Sequence, residues 1–506
     1  MPANKSVKKN YLWNLAFQIF LIIVPLITTP YVSRILGSDG IGKFSFSNSI
    51  VYYFTLFAYL GFNYYAQREA AKYQDDKLKQ SKIFWEITIL KLFSSTVSIA
   101  IYGILILSNA LQDYNILLMI LSLSIVSVMF DSTFLFQANE DFRNITIRNF
   151  IVRVITVILT FVLVKGPDDL WLYTLLTSGG TLVSMIAMIP FLRKYVCKIP
   201  FKDLNIKQHI KPTLRLFIPT IAISIYVMLD KTMIGLLVPG ETTVIVDGVE
   251  VVKKVSDIEN GYYEQAEKIV KLVMTVATSL SVVMIPKNVT FIQNNDIEGL
   301  KNNIYKSLRF TLLISIPMCL GIICIAKNFS PWFFGDGYEK VPYLLMILSV
   351  IIISIGLSGV FGIQYLVALG RDKPFTIIVT CGAILNFVLN IVLVRYLYAY
   401  GVAISTAIVE TLIAIVDIIY LRKELPIKRV CKESYKYLIS GIVMFGVTFP
   451  ISFLLPSSIW ATLVLIVIGV VTYGASVIIL KDSFVREIFR VGISKIKTLF
   501  HNNNQS

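Results

Sequence analysis

The chain has 506 residues, of which 56% are hydrophobic and only 15% are charged, and its formal net charge is +16. A soluble domain carries about a quarter charged residues and could not hide this much apolar surface in one core, whereas lipid solvates apolar faces directly. The cations fall in short loops between apolar runs. That pattern is typical of membrane anchoring and speaks against nucleic acid as a partner.

Fourteen apolar runs follow one another along the chain, each close to the ~20 residues that a helix needs to cross hydrocarbon. The predicted spans are 11–36, 41–65, 83–108, 114–138, 147–165, 170–192, 213–238, 266–289, 306–326, 341–369, 374–397, 399–421, 436–455 and 459–480. With both termini in the cytoplasm, 35 of the 47 Lys and Arg residues lie in cytoplasmic segments and 9 in outer ones. This bias follows the positive-inside rule and supports an even number of spans.

The spans group into two halves. We expect an N-terminal lobe over 1–192, a cytoplasmic connection over 193–212, a C-terminal lobe over 213–421, two further spans within 436–480 and a cytoplasmic tail over 481–506. A weak internal repeat supports this division, because Gly42-Lys43-Phe44 and Gly261-Tyr262-Tyr263 each precede an Ile-Val pair by the same spacing. Prolines inside spans 1 and 7 indicate interrupted helices at matching places, which is typical of a substrate path.

The outer loop 239–265 is the longest predicted outer segment. Alternating β-branched residues over 243–252, around Asp247-Gly248, predict a hairpin with a tight turn. The seven acids of this loop and its flank are interpreted as those of a solvated hairpin, with a functional lid as the alternative.

Several kinds of chemistry lack their residues. The stretch Gly37–Phe44 nearly matches a phosphate-binding loop, but Phe44 stands where Ser or Thr must hold magnesium, so a tight interhelical turn is expected. The two histidines, His209 and His501, fall in a basic loop and in the tail, and neither is expected to serve a proton relay inside the membrane. We therefore expect a transporter and not an enzyme, with no cofactor and no metal; five cysteines without a CxxC spacing agree.

Charges within spans are the best site candidates, because each costs about 2.5–3.5 kcal/mol on insertion scales. They are Glu86, Lys91, Asp131, Asp230, Lys231, Lys271, Glu410 and Asp417. A hydrated cavity is expected around the adjacent Asp230 and Lys231. Their side chains point about 100° apart on a helix, so they have different partners or one of them faces water. Arg34 and Arg153 lie near span ends, where reaching to the interface is an equal alternative.

Together these features resemble the polysaccharide-biosynthesis flippases of the MOP superfamily, the Wzx-type exporters of lipid-linked glycans. The likeness spans about residues 8–490. The segments that carry it are Pro30-Tyr31-Val32-Ser33-Arg34-Ile35-Leu36-Gly37, Leu229-Asp230-Lys231-Thr232-Met233-Ile234-Gly235, Gly261-Tyr262-Tyr263-Glu264-Gln265-Ala266 and Gln364-Tyr365-Leu366-Val367-Ala368-Leu369-Gly370-Arg371.

The resemblance implies an all-α polytopic fold of 14 transmembrane helices, with two six-helix lobes around a central cavity that opens to each side in turn, plus helices 13 and 14 as a lipid-tail groove. It implies a multi-pass protein of the bacterial inner membrane that flips a polyprenyl-pyrophosphate-linked oligosaccharide, with bilayer lipids and polysaccharide polymerase machinery as partners. Cations expected to hold the pyrophosphate are Lys231, Lys91, Arg34 and Arg153. Without a membrane histidine, coupling to H⁺ or Na⁺ is expected to use Asp230, Asp131 or Glu410.

Two other functions stay open from the sequence. A cation-coupled multidrug antiporter of the same fold would typically have twelve spans, and spans 13 and 14 speak against it. A membrane glycan polymerase or ligase would be expected to carry a large outer loop with a catalytic Arg or His, and loop 239–265 has neither.

Overall fold

The computed structural model describes residues 3–246 and 249–486, and within these ranges the chain is helical apart from one β-hairpin and short connections. Nine helices in this part of the chain are long and apolar enough to cross a membrane. The all-α polytopic membrane fold predicted from the sequence is confirmed at this level. The count of fourteen spans stays a prediction.

The chain forms two compact units that divide between Glu264 and Gln265, within a helix. The elements of the first unit are α1 (Ala3–Tyr59), α2 (Phe62–Ala71), α3 (Lys77–Leu107), α4 (Asn115–Phe130), α5 (Thr133–Ala138), α6 (Phe142–Leu163), α7 (Leu170–Ile186), α8 (Ile210–Leu237), β1 (Glu241–Val246), β2 (Val249–Lys254) and the start of α9 (Val255–Gln293). Those of the second are the rest of α9, α10 (Ile297–Phe334), α11 (Val341–Leu348), α12 (Ile351–Ser358), a π-helical stretch (Gly359–Val367), α13 (Asp372–Leu421), α14 (Ile427–Leu454) and α15 (Ile459–Ile479).

Each unit has its own packed core. In the first unit, Phe46 of α1, Tyr102 of α3 and Leu118 of α4 belong to one buried cluster. In the second, α10 packs against α14 and α15 around Tyr437 and Met444. Large apolar side chains remain on the outer faces of both units, which suits contact with lipid and would promote aggregation in water.

Two breaks divide long helices where the sequence predicts boundaries between spans. Gly37 has a φ of 68° within α1, which only glycine adopts at little cost. Tyr398 has a φ of 52° within α13. The chain reverses there. This is shown by Nδ2 of Asn386, which lies 3.3 Å from Oγ1 of Thr406, twenty residues away. The predicted short connection between spans 11 and 12 is confirmed.

Two further breaks fall inside predicted spans, and these predictions are wrong. The run 41–65 divides at Leu60 and Gly61, whose φ angles are 43° and 74°, so that α1 ends and α2 begins within it. The run 114–138 divides at Asp131 and Ser132, between α4 and α5. Hydropathy averaged over about 20 residues does not respond to one or two residues with non-helical backbone, so it merges the two halves.

The loop predicted at 239–265 is shorter in the structure. The hairpin is present, since β1 pairs with β2 antiparallel and Val246 pairs with Val249 across a two-residue connection. The connection, residues 247–248, lies outside the described residues. Helix α9 then begins at Val255, about three turns before the predicted span. Asp257, Glu259 and Glu267 are buried on it, so the interpretation of these acids as part of a solvated hairpin is wrong.

Candidate functional site

Helix α8 places Lys231 in an ion pair inside the first unit. Its Nζ atom lies 2.5 Å from Oε2 of Glu264 on α9, and the Lys231 side chain is 9% exposed. The Ser45 hydroxyl of α1 donates to the same carboxylate oxygen at 2.9 Å. The Asn260 amide donates to the Lys231 carbonyl at 2.8 Å. Three helices therefore hold this cation and its counter-charge.

The neighbouring Asp230 faces a different partner. Its carboxylate accepts a hydrogen bond from the Tyr263 hydroxyl of α9, and the residue is buried. The contacts described for Asp230 and Lys231 thus include two different side chains of α9, Tyr263 and Glu264. The hydrated cavity expected around them stays a prediction. We call Ser45, Asp230, Lys231, Tyr263 and Glu264 the Lys231 cluster.

Two glycines allow α9 to reach this position against α1. A Cβ atom added at Gly42 would lie 1.6 Å from the Asp257 carbonyl oxygen, and one at Gly261 would lie 1.9 Å from the Ser38 carbonyl oxygen. No larger residue fits either place unless the backbones separate. Gly42 and Gly261 are the first residues of the two segments that form the weak sequence repeat, so the repeated segments pack against each other.

A second cluster forms where α4 stops. Asp131 has extended backbone angles there, and its carbonyl oxygen accepts a hydrogen bond from the Lys91 ammonium of α3. One carboxylate oxygen accepts from the Tyr59 hydroxyl at 3.0 Å and the other from the Thr133 amide at 2.8 Å. Lys91 is 1% exposed, so its charge is compensated within the protein. We call Tyr59, Lys91, Asp131 and Thr133 the Lys91 cluster.

Arg148 adds a buried cation near this cluster. It is 8% exposed, it donates to Oδ1 of Asn149 at 2.7 Å, and its charge interacts with that of Asp131. Its Nη1 atom has no hydrogen-bond partner among the described residues. The sequence alone does not rank Arg148 above Arg153 as a buried cation, because helical spacing does not show which face of the helix contacts lipid.

The other predicted site residues lie elsewhere. Arg34 on α1 and Arg153 on α6 are exposed. Glu410 is buried on α13, in the second unit. No group of three or more His, Cys, Asp or Glu side chains in the described ranges is arranged to hold a metal ion.

His209 is more enclosed than its basic loop predicts. It is 4% exposed, its Nε2 atom lies 2.7 Å from Oε2 of Glu86 on α3, and its Nδ1 atom lies 2.7 Å from the Tyr65 hydroxyl. The sequence did not predict this burial, and the expectation that His209 serves no proton relay inside the membrane stays a prediction. The chain folds back after α7, so residues 205–209 cap the buried Glu86 carboxylate.

Asp257 is a buried acid outside the predicted spans. Burial raises the pKa of its carboxyl group to about 6, against an ordinary value of 3.8. Its Oδ1 atom accepts a hydrogen bond from the Tyr114 hydroxyl at 2.7 Å. The β-hairpin is tied down beside it, since Nζ of Lys253 lies 2.6 Å from Oδ1 of Asp39.

Glu264 was not predicted as a site residue, because it was counted among the acids of loop 239–265. The available signal was helical spacing. Asn260, Glu264, Glu267 and Lys271 recur every three or four residues and extend the polar face of α9 outward from the predicted span.

The family model described as "Polysaccharide biosynthesis protein" matches residues 7–291, more than half of the chain. The chain belongs to this polysaccharide biosynthesis family. It is 26% identical over 430 residues to the "Putative O-antigen transporter" of Escherichia coli K12, covering 83% of this chain and 98% of that protein.

Solved structures establish the fold of this family member. The lipid II flippase MurJ in an inward closed conformation matches with a TM-score of 0.61 at 20% identity, covering 92% of this chain and 99% of that one. An inward-facing multidrug resistance MATE transporter of the MOP superfamily matches with a TM-score of 0.56 at 15% identity, covering 81% and 99%. The chain thus has a MurJ-like and MATE-like fold.

Proposed function

We propose that this protein flips a polyprenyl-pyrophosphate-linked oligosaccharide repeat unit from the cytoplasmic to the outer leaflet by alternating access, for O-antigen, capsule or another surface polysaccharide. The observation that carries the proposal is the Lys231–Glu264 ion pair, a buried cation within a predicted span of a polysaccharide biosynthesis protein. A pyrophosphate cannot enter hydrocarbon without counter-charges. A flippase therefore needs cations that are compensated while no substrate is bound.

The ion pair supplies such a cation. Glu264 compensates Lys231 here, and the substrate anion takes its place when the cluster opens. Lys91 and Arg148 serve the first unit in the same way, close to Asp131. The exposed Arg34 and Arg153 meet the headgroup at the span ends. Lysine suits a ligand that must be passed on, since it is a mobile point charge and not a rigid fork.

Carboxylates beside these cations are the proposed coupling groups. Asp230 and Asp131 each sit within hydrogen-bond reach of a tyrosine hydroxyl, and Glu410 is buried in the second unit. Each can be neutralised by H⁺ or Na⁺ when its partner moves away. The transport cycle then releases Glu264 from Lys231 as the two predicted lobes, 1–192 and 213–421, change their arrangement.

An apolar cavity of about 510 Å³ supports a place for the lipid tail. It lies among α9, α10, α14 and α15, with Pro317, Met444 and Gly469 in its lining. A saturated or polyprenyl chain fits such a lining, because the cavity offers dispersion contacts and almost no polar atoms. This agrees with the groove expected from helices 13 and 14.

The alternatives are less well supported. Multidrug transport is the activity for which the matching MATE protein is named, but that protein leaves about a fifth of this chain unmatched, and MurJ accounts for more. A glycan polymerase or ligase would need an outer catalytic loop, whereas the outer segment here is a short hairpin followed by a helix.

The test is a flipping assay in proteoliposomes with a defined polyprenyl-pyrophosphate-linked glycan. Lys231→Ala should abolish flipping and Lys231→Arg should retain part of it. Lys271→Ala is the matched control, because Lys271 also forms a helical ion pair, with Glu267 at 2.6 Å, but is 40% exposed. Flipping at the wild-type rate by a Lys91→Ala, Lys231→Ala double variant would refute this site.

A further inference from the structure

The segment between α7 and α8, residues 187–209, presents a face that the transport proposal does not use. The segment contains two short 3₁₀ turns, Ile189–Lys194 and Phe201–Asp203, and lies within the first unit. Phe201 is 70% exposed, and Phe191 and Ile189 are 50% and 41% exposed. Three large apolar side chains on the surface of one connecting segment indicate a face that contacts something other than water.

Hydrogen bonds hold the backbone of this segment on α3. The Cys197 amide donates to the Ser81 hydroxyl at 2.9 Å, and the Trp85 indole donates to the Cys197 carbonyl oxygen at 3.0 Å. The Asn205 amide donates to the buried Glu86 carboxylate at 2.6 Å. The exposed side chains therefore stand on a fixed support.

The segment has two distinct faces. Leu192, Tyr195 and Val196 pack against the buried cluster formed by α2, α3 and α5. Phe191 and Phe201 are exposed and belong to the opposite face. The segment therefore already has an apolar attachment to the protein, and the exposed aromatic side chains are additional to it.

The exposed face is also cationic. The segment carries five basic residues and a single acid, Asp203. Arg193, Lys198 and Lys202 are exposed, and no acid among the described residues forms an ion pair with them. Their charge is therefore available to an anionic partner.

The contacts of the segment place it where α3 enters hydrocarbon. Ser81 and Trp85 lie on either side of residue 83, at which the predicted span begins, and only about 6 Å of helix separates them. The flanking helix ends face lipid as well, since Ile186 of α7 is 41% exposed and Ile210 of α8 is 43% exposed. The segment thus lies at the level of the membrane surface.

We propose that this face binds the anionic headgroup surface of the leaflet beside which it lies. Aromatic rings suit the boundary between headgroups and acyl chains, and ammonium groups suit lipid phosphates. In the predicted topology this is the cytoplasmic leaflet. Because α8 follows directly, the attachment fixes the depth at which α8 begins. The inference rests on the segment alone and does not depend on the proposed transport activity.

The test replaces Phe201 with the photoreactive analogue p-benzoyl-phenylalanine, in the full chain reconstituted into nanodiscs of equal phosphatidylglycerol and phosphatidylcholine. Intact mass after illumination identifies the lipid attached. Phosphatidylglycerol adducts should exceed phosphatidylcholine adducts by about 5-fold, since one lysine near an anionic surface contributes about 1 kcal/mol. The same analogue at Phe93, which is 68% exposed on α3, is the positive control for lipid contact, and at the exposed Asp75 it is the negative control.

Charge variants then test the role of the lysines. Lys198→Gln with Lys202→Gln should reduce the preference for phosphatidylglycerol at position 201 to nearly one. Lys72→Gln with Lys79→Gln is the matched control, because it removes the same charge from exposed ion pairs near the same helix ends and should leave the preference unchanged. Lys198→Arg with Lys202→Arg should retain the preference.

Three results would overturn the proposal. One is a lipid adduct at position 201 no more frequent than at position 75, which would place Phe201 in water. A second is an equal preference for phosphatidylglycerol in the wild type and in the Lys198→Gln, Lys202→Gln variant. The third is attachment mainly to a second protein when the illumination is carried out in cell membranes, which would assign this face to a protein partner.

Discussion

The Nζ atom of Lys231 lies 2.5 Å from Oε2 of Glu264, so the cation that we propose for the substrate anion is engaged by a carboxylate of the same unit. Ser45 and Asn260 fix this pair from α1 and α9. A buried ion pair of this kind adds little net stability, but removal of one partner leaves the other charge buried without compensation. Loss of either residue is therefore costly, whereas a substrate anion can replace Glu264 as the partner of Lys231.

Lys231→Ala should lower the stability of the protein by up to about 3 kcal/mol, because it leaves the Glu264 carboxylate, whose side chain is only 17% exposed, without its cation. The double variant Lys231→Ala, Glu264→Ala should recover most of that loss. Thermal unfolding in detergent measures both. Equal melting temperatures for the single and double variants would show that the pair does not contribute as described.

Gly42→Ala and Gly261→Ala should each disturb the packing of α9 on α1, since the added Cβ would lie 1.6 Å or 1.9 Å from a carbonyl oxygen. We expect a fall in melting temperature and loss of flipping in both variants. Gly103→Ala is the matched control, because a Cβ there meets nothing within 4 Å. A Gly42→Ala variant as stable and as active as Gly103→Ala would contradict this account.

The packing around Asp257 should depend on pH. Burial raises the pKa of this carboxyl group from 3.8 to about 6, so the folded state binds the proton more tightly than the unfolded state. The contribution is fully present below pH 4 and is lost as the pH rises through 6, by up to about 3 kcal/mol. Asp257→Asn should therefore raise the melting temperature at pH 7.5 and leave it unchanged at pH 4. A gain of the same size at both pH values would exclude this titration.

Ion coupling should depend on Asp230, whose carboxylate accepts from Tyr263. Asp230→Asn keeps the acceptor oxygen but cannot bind a proton or Na⁺ as a charged site. Its flipping rate should no longer respond to an imposed proton or sodium gradient. Tyr263→Phe is the control that removes the hydrogen bond and keeps the charge. If Asp230→Asn responds to both gradients as the wild type does, facilitated flipping driven by polymerisation is preferred.

The topology can be tested by cysteine labelling in whole cells. In a background without the five native cysteines, of which Cys381 and Cys431 are exposed, single cysteines replace Ser6, Thr243 and Ser506. Only position 243 should react with an impermeant reagent. External labelling at position 506 would remove the even number of spans.

Hydropathy was sufficient for the positions of most helices and for the reversal at Tyr398, because each depends on local composition. It could not locate the break at Asp131, which depends on a hydrogen bond from Lys91, forty residues away. The charged residues within spans were visible in the sequence, but their partners were not. Glu264 and His209 became part of polar networks only through packing of elements distant in the chain.

The reversal at Tyr398 also bears on how the protein enters the membrane. Asn386 meets Thr406 across this bend, so the two spans on either side have no separating loop. The second of them carries the buried acids Glu410 and Asp417, which together cost about 5–7 kcal/mol on insertion scales. The first span carries no charge from Pro374 to Val394 and borders the second directly. We expect the pair to leave the translocon as one helical hairpin, with the apolar arm drawing the acidic arm into lipid.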